Sequence, residues 1–166
     1  MNSLRAVICA CLLFAACAAP AAARPPCANP EQVKAAQLRQ LHYELQVAAL
    51  NCRDAYPEMP TKWQRYVMSQ GAVLNDNAKV LRAYFQGAAA FDRHNTVITN
   101  RQSALVHETH GYCESHIPLF DTVAAMTPAQ LNAFAAETVG DPMEIHACPN
   151  KPAAKAKKAE KAKKAE

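Results

Sequence analysis

Residues 107–116 read HETHGYCESH, a dense group of side chains able to bind a metal or move a proton. On a continuous helix His107, His110 and Glu114 fall at i, i+3 and i+7, on one face. Two imidazoles and a carboxylate form a ligand set suited to zinc or copper. The spacing is not that of the zinc proteases, whose H-E-x-x-H places two histidines four apart with a glutamate as base. His107 and His110 are three apart, and His116 points roughly the opposite way. Histidines in this group would also respond to pH outside the cytoplasm. The plainer reading of the same residues is a polar helix side facing solvent.

Cysteines are the second chemical resource. Residues 1–23 read as a secretory signal, with Arg5 as the positive n-region, the apolar run 6–16 (AVICACLLFAA) as the core, and Ala21 and Ala23 as small residues before cleavage. The expected mature chain starts at Arg24 and keeps Cys27, Cys52, Cys113 and Cys148. An even, small number of cysteines in an exported chain points to disulfides, here two. There is no C-x-x-C, and no C-x-x-C-H for haem attachment, so structural bridges are preferred over redox or metal chemistry. A rival processing route exists: Cys17 follows Leu13-Phe14-Ala15-Ala16, close to a bacterial lipoprotein box, and lipidation there would anchor the protein to a membrane. The expected location is periplasmic or secreted. No apolar run in the mature chain is long enough to cross a bilayer.

Other chemistry is thin. The chain has no G-x-S-x-G and no glycine loop to cradle phosphate. Asp54, Glu58, Asp76, Asp92 and Glu114 are scattered, without a visible pairing for acid–base work. Tyr43, Tyr56, Trp63, Tyr66, Tyr84 and Phe85 read as packing residues rather than a stacking platform. The expectation is therefore a protein that is not an enzyme and carries no cofactor.

Charge is segregated. Residues 151–166 (KPAAKAKKAEKAKKAE) hold seven lysines and two glutamates, a net +5. Residues 24–150 hold ten Lys and Arg against twelve Asp and Glu, a net −2. The basic balance of the whole belongs to the tail. A Lys/Ala/Glu tract cannot bury a core and is expected to be disordered or a fluctuating single helix. Three segments follow: signal 1–23, a folded module 24–150 large enough for one core, and a basic tail 151–166. The partners expected for such a tail are an anionic envelope polymer or an envelope protein; nucleic acid is not expected as a partner in the periplasm.

The elements that must position these residues are helices. Glycines are few and no period-two run stands out. Helix 1 opens on Asn29-Pro30 with Gln32 three residues after the cap, and its stripe is Leu38, Leu41, Leu45, Ala48 and Cys52. Helix 2 starts near Pro60, with Trp63, Val67, Leu74, Leu81 and Phe85 inward and an exposed, frayed patch at 75–77 (NDN). Residues 87–95 form the turn into helix 3, which uses Val97, Ile98, Leu105, Val106, Tyr112, Cys113 and Ile117 and is bent or broken at Gly111 and Pro118. Helix 4 opens on Thr127-Pro128 with Gln130, turns Leu131, Phe134 and Ala135 inward, and closes at Gly140. Short connections make neighbours antiparallel, so the fold class is all-α: a bundle of about four helices stapled by two disulfides.

Reach then selects a pairing. Helix 1 rises roughly 37 Å at 1.5 Å per residue, helix 2 returns, and helix 3 climbs beside helix 1. That brings the region of Cys113 level with Cys52. Helix 4 descends about 18 Å, and the extended stretch 141–147 covers about another 20 Å, reaching the level of Cys27. The pairs chosen from three possibilities are Cys52–Cys113 and Cys27–Cys148.

The segments LQVAALNCR (45–53), VLRAYF (80–85) and GYCESHIPLFD (111–121) resemble an uncharacterised family of small exported helical proteins of alpha-proteobacteria. The likeness spans about residues 27–140. It implies equivalent positions for the two central cysteines, which supports pairing Cys52 with Cys113, and it implies no activity, ligand or catalytic residue. Two functional expectations remain. One is a structural or interaction protein of the envelope whose tail gives weak anionic tethering. The alternative is a small-ligand or transition-metal module built on the helix 3 histidines.

Overall fold

In a computed structural model, which describes residues 27–149, five helices follow one another: α1 Pro30–Cys52, α2 Met59–Tyr84, α3 Ala88–Glu108, α4 Tyr112–Ala125 and α5 Pro128–Val139. The signal segment, Cys17 and the basic tail lie outside the described residues.

α1 is the axis, and each of the other four helices packs on it. The Asn29 side chain accepts from the Gln32 N–H, and the Gln32 side chain accepts from the Asn29 N–H. This capping box satisfies two donors that an open helix end leaves unpaired. α1 then buries Leu38, Leu41, Leu45, Ala48 and Cys52, the stripe expected from its spacing. α2 runs back along it: the Tyr66 hydroxyl meets His42, and the carbonyl of Leu74 meets Arg39. Further along, Asn77 donates to the carbonyl of Ala35. α2 is therefore unbroken through 75–77, and Asn77 is buried rather than part of an exposed, frayed patch. Its place explains this. Gln70, Leu74, Asn77, Leu81 and Tyr84 form one 4-3-4-3 stripe against α1, and the Asn77 amide is compensated by a backbone carbonyl.

α3 begins at Ala88, immediately after the turn at Gln86 and Gly87, earlier than a turn lasting to residue 95 would place it. It buries Phe91, His94, Ile98 and Gln102. Gly111, in the left-handed region at φ +67°, ends the ascent and opens a separate helix. The expected third helix is thus two helices, and the bundle has five rather than about four. Pro118 does not end α4, which continues to Ala125. The carbonyls left without helical partners at the end of α4 are capped from a distance: buried Gln70 donates through Nε2 to the carbonyls of Val123 and Met126, each at 2.9 Å. α5 opens on the capping box of Thr127 and Gln130 and buries Leu131 and Ala135.

Two apolar clusters result. The larger joins α1, α2, α4 and α5 around Leu41, Leu45, Tyr66, Phe120, Val123 and Leu131. The smaller joins Ala28, Ala35, Ala36, Leu81, Tyr84, Phe91 and Ile145 at the end of the bundle where the described chain begins and ends. There the chain ends pair as a single parallel bridge, with Ala28 N–H donating to the His146 carbonyl and Cys148 N–H to the Ala28 carbonyl, both at 2.8 Å. No described helix is long and apolar enough to cross a membrane.

Candidate functional site

Each cysteine pair occupies one end of α1. Cys27 and Cys148 are bonded with their Cα atoms 4.7 Å apart, and Cys52 and Cys113 with theirs 5.6 Å apart. The pairs are nested, spanning 121 and 61 positions of sequence. Cys52 is fully buried in the larger cluster, where it ties the end of α1 to the first turn of α4. Cys27 is exposed and joins the chain ends beside the Ala28–Ala147 bridge. All four thiols are consumed, which leaves no described cysteine as a nucleophile.

The metal set His107, His110 and Glu114 is not assembled. Its premise was one continuous helix, and Gly111 breaks that helix inside the set. His107 lies in the last turn of α3, His110 in the connecting turn, and Glu114 in the first turn of α4. All three are exposed. Glu114 accepts from the Tyr56 hydroxyl at 3.0 Å. Its own backbone N–H, the Tyr56 hydroxyl and nearby His110 hold its carboxyl below the usual range. Among the described residues no three His, Cys, Asp or Glu side chains stand together in a way that would hold a metal ion.

His116, expected to point away from that set, carries a more definite interaction. Its Nε2 faces Glu44 Oε1 at 2.9 Å and its Nδ1 faces the Tyr112 carbonyl at 2.6 Å, with the Tyr112 ring stacked on it at 3.9 Å between centroids. Both ring nitrogens thus meet acceptors, which only the doubly protonated imidazole satisfies with a donor on each side. Burial disfavours its charge, but the Glu44 hydrogen bond, the Tyr112 carbonyl and the charge of Glu44 together outweigh it and raise its pKa. Burial beside the Glu44 charge also pushes the Tyr112 phenol up to about 12. This pair joins α1 to α4 about two turns before Cys52 on α1 and one turn after Cys113 on α4.

Two other histidines behave oppositely. His42 sits among Tyr43, Trp63 and Tyr66, and burial, helped by the charge of Arg39, lowers its pKa to about 3. His94 is buried against Phe85, and its Nδ1 lies 3.1 Å from Glu144 Oε2; burial outweighs that partner and lowers its pKa.

The residue that sequence reasoning missed most clearly is Arg39. It is 7% exposed, its guanidinium lies over the rings of Phe91 and Tyr43 at 5.2 and 5.9 Å, and Nη2 donates to the Leu74 carbonyl at 3.4 Å. Its Nε makes no hydrogen bond within the described protein. Aromatic faces and a carbonyl take the role that a carboxylate fills in most buried pairs. The available signal was position: Arg39 is four residues after Ala35 and three before His42, on the side of α1 that meets both α2 and α3.

No family model, curated protein or solved structure matches this chain. Its function must therefore be read from its own residues.

Proposed function

We propose that this is a non-enzymatic protein of the cell envelope, a rigid helical module that presents its surface to a partner while a basic tail supplies weak tethering to anionic material. The observation that carries this reading is the segregation of charge, with net −2 on residues 24–150 and net +5 on residues 151–166. A near-neutral body gives no field of its own to hold a polyanion, whereas seven lysines in sixteen positions do. The two disulfides support an oxidising compartment, where such bonds persist. Removal of Lys151–Glu166 should release the protein from envelope fractions at low salt, and high salt should release the intact protein in the same way. Retention of the truncated protein on the envelope at low salt would refute the tether.

A further inference from the structure

The two bridges differ in how they meet a thiol from outside. The near pole of the bundle comprises the start of α1, the α2–α3 turn at 85–87 and the strap 141–149, and Cys27–Cys148 lies there. Cys27 is exposed, and Cys148 is half-buried between exposed Ala147 and Pro149. At the opposite end of α1, Cys52 is fully buried in the larger cluster and Cys113 is half-buried. Thiol–disulfide exchange needs an attacking thiolate on one sulfur and a leaving thiolate on the other. Attack at Cys113 would expel the Cys52 thiolate into an apolar core, where nothing solvates its charge. Attack at Cys27 expels the Cys148 thiolate at the surface. The near bridge therefore suits exchange with the bundle formed, and the core bridge does not.

The bridge fastens a segment that has no helical ladder of its own. Gln37 Nε2 donates to the Gly140 carbonyl at 2.7 Å, and the Met143 N–H donates to Gln40 at 2.9 Å. The first bond is exposed and the second half-buried, so water competes for both. The two backbone bonds to Ala28 and the buried side chain of Ile145 complete the hold. Two features favour release. Glu144 is kept at φ +60°, in the left-handed region that a residue with a side chain rarely adopts. Beneath it lies His94, 2% exposed, with Nδ1 3.1 Å from Glu144 Oε2 and with no hydrogen-bond partner for Nε2 among the described residues. Lifting the strap relaxes the first and lets water reach the second.

We infer that Cys27–Cys148 is an exchange site for a protein dithiol, and that its reduction lifts the strap and opens the His94 face of the near pole while the bundle and Cys52–Cys113 stay intact. One thiolate of the dithiol attacks Cys27 Sγ; the Cys27–Cys148 bond breaks, and Cys148 leaves as a thiolate that takes a proton from water. The second thiolate of the dithiol then attacks its neighbour's sulfur in the mixed disulfide and releases Cys27, which is protonated in the same way. Two electrons pass, so the bridge is reduced to two thiols and the dithiol is oxidised to a disulfide. Exchange with a disulfide oxidant runs these steps backwards and closes the strap. Opening takes from His94 its Glu144 partner and its cover, and leaves Arg39 on α1 as its charged neighbour. The basic tail plays no part, so this site stands or falls apart from the tether.

The test treats the oxidised full-length protein with reduced thioredoxin, alkylates free thiols and maps the label by mass spectrometry. Cys27 and Cys148 should be fully labelled while Cys52 and Cys113 remain bonded to each other, and a thioredoxin lacking its resolving cysteine should be trapped on Cys27. In NMR of the reduced protein the backbone amides at 28 and 148 should lose protection, and the His94 ring should titrate closer to the ordinary value of about 6.5. Amides at 41, 45 and 120 should stay protected. Cys27→Ser with Cys148→Ser should show the same opened state without reductant. Labelling of all four cysteines together, trapping on Cys113 or Cys148, or a near bridge that resists thioredoxin overturns the exchange site. Retained protection at 28 and 148 with an unchanged His94 titration, in the reduced protein or in the serine variant, overturns the opening, and so does loss of protection throughout the bundle.

Discussion

The two disulfides hold one chain at opposite ends of one helix, in opposite surroundings. Cys52–Cys113 is seated in the larger core, where side chains from four helices meet. Cys27–Cys148 is a surface bridge on a small cluster, reinforced by two backbone hydrogen bonds. The chain-entropy model gives bridges of these spans similar values, about 4–5 kcal/mol each. The surroundings separate them. Around the first, opening means unfolding the bundle; around the second, a short strap can lift while the bundle stays formed. Equal entropy therefore need not mean equal effect.

The strongest test of this contrast replaces each pair by alanine. Cys52→Ala with Cys113→Ala should lower global stability in urea by about 4 kcal/mol or more, since lost packing adds to lost cross-linking. Cys27→Ala with Cys148→Ala should cost clearly less and should free the backbone amides at positions 28 and 148 to exchange. Equal losses in the two variants would abolish the distinction. A second test uses packing alone. Phe120→Ala in the larger cluster should cost about 4 kcal/mol, and Ile145→Ala in the smaller about 2 kcal/mol, read from denaturation midpoints.

A third test uses pH. His42 and His94 have pKa values lowered by folding, so the stability they confer is full above the ordinary histidine value of about 6.5 and fades as pH falls toward their folded values, about 3 for His42. His116 has a raised value, so its contribution is full below about 6.5 and is lost as pH rises through its folded value. Acid should therefore loosen α1 from α2 and α3, while mild alkali should loosen α4 from α1. Unfolding curves across pH should show His42→Gln flattening the acid side and His116→Gln the alkaline side. The smallest effect belongs to the caps: Asn29→Ala and Thr127→Ala should each cost about 1 kcal/mol, the first at the near pole and the second at the start of α5.

The parts legible in sequence were those written in local chemistry. Both capping boxes place their helix starts to the residue, because the cap side chain and its partner are three positions apart. The α1 stripe is legible for the same reason. The parts that escaped depended on the opposing surface. Gly111 reads equally as a bend or a break until the left-handed turn and the docking of α4 on α1 decide it, and the proposed ligand face fell with that choice. Asn77 and Arg39 are on buried stripes by register, but their polarity argues for solvent until the carbonyls of Ala35 and Leu74 and the ring of Phe91 are seen opposite them. Glu44 and His116 are 72 positions apart, a distance no periodicity bridges.

The nesting of the bridges has a consequence for survival among proteases. Residues 27–148 form a covalent ring, with a second crosslink inside it between 52 and 113. A single cut anywhere between Ala28 and Ala147 opens that ring without detaching a fragment. A molecule nicked in an exposed turn such as 53–58 would still migrate as one piece until reduced. Its helices would stay docked after such a nick, because both crosslinks and the packed core still hold the pieces together.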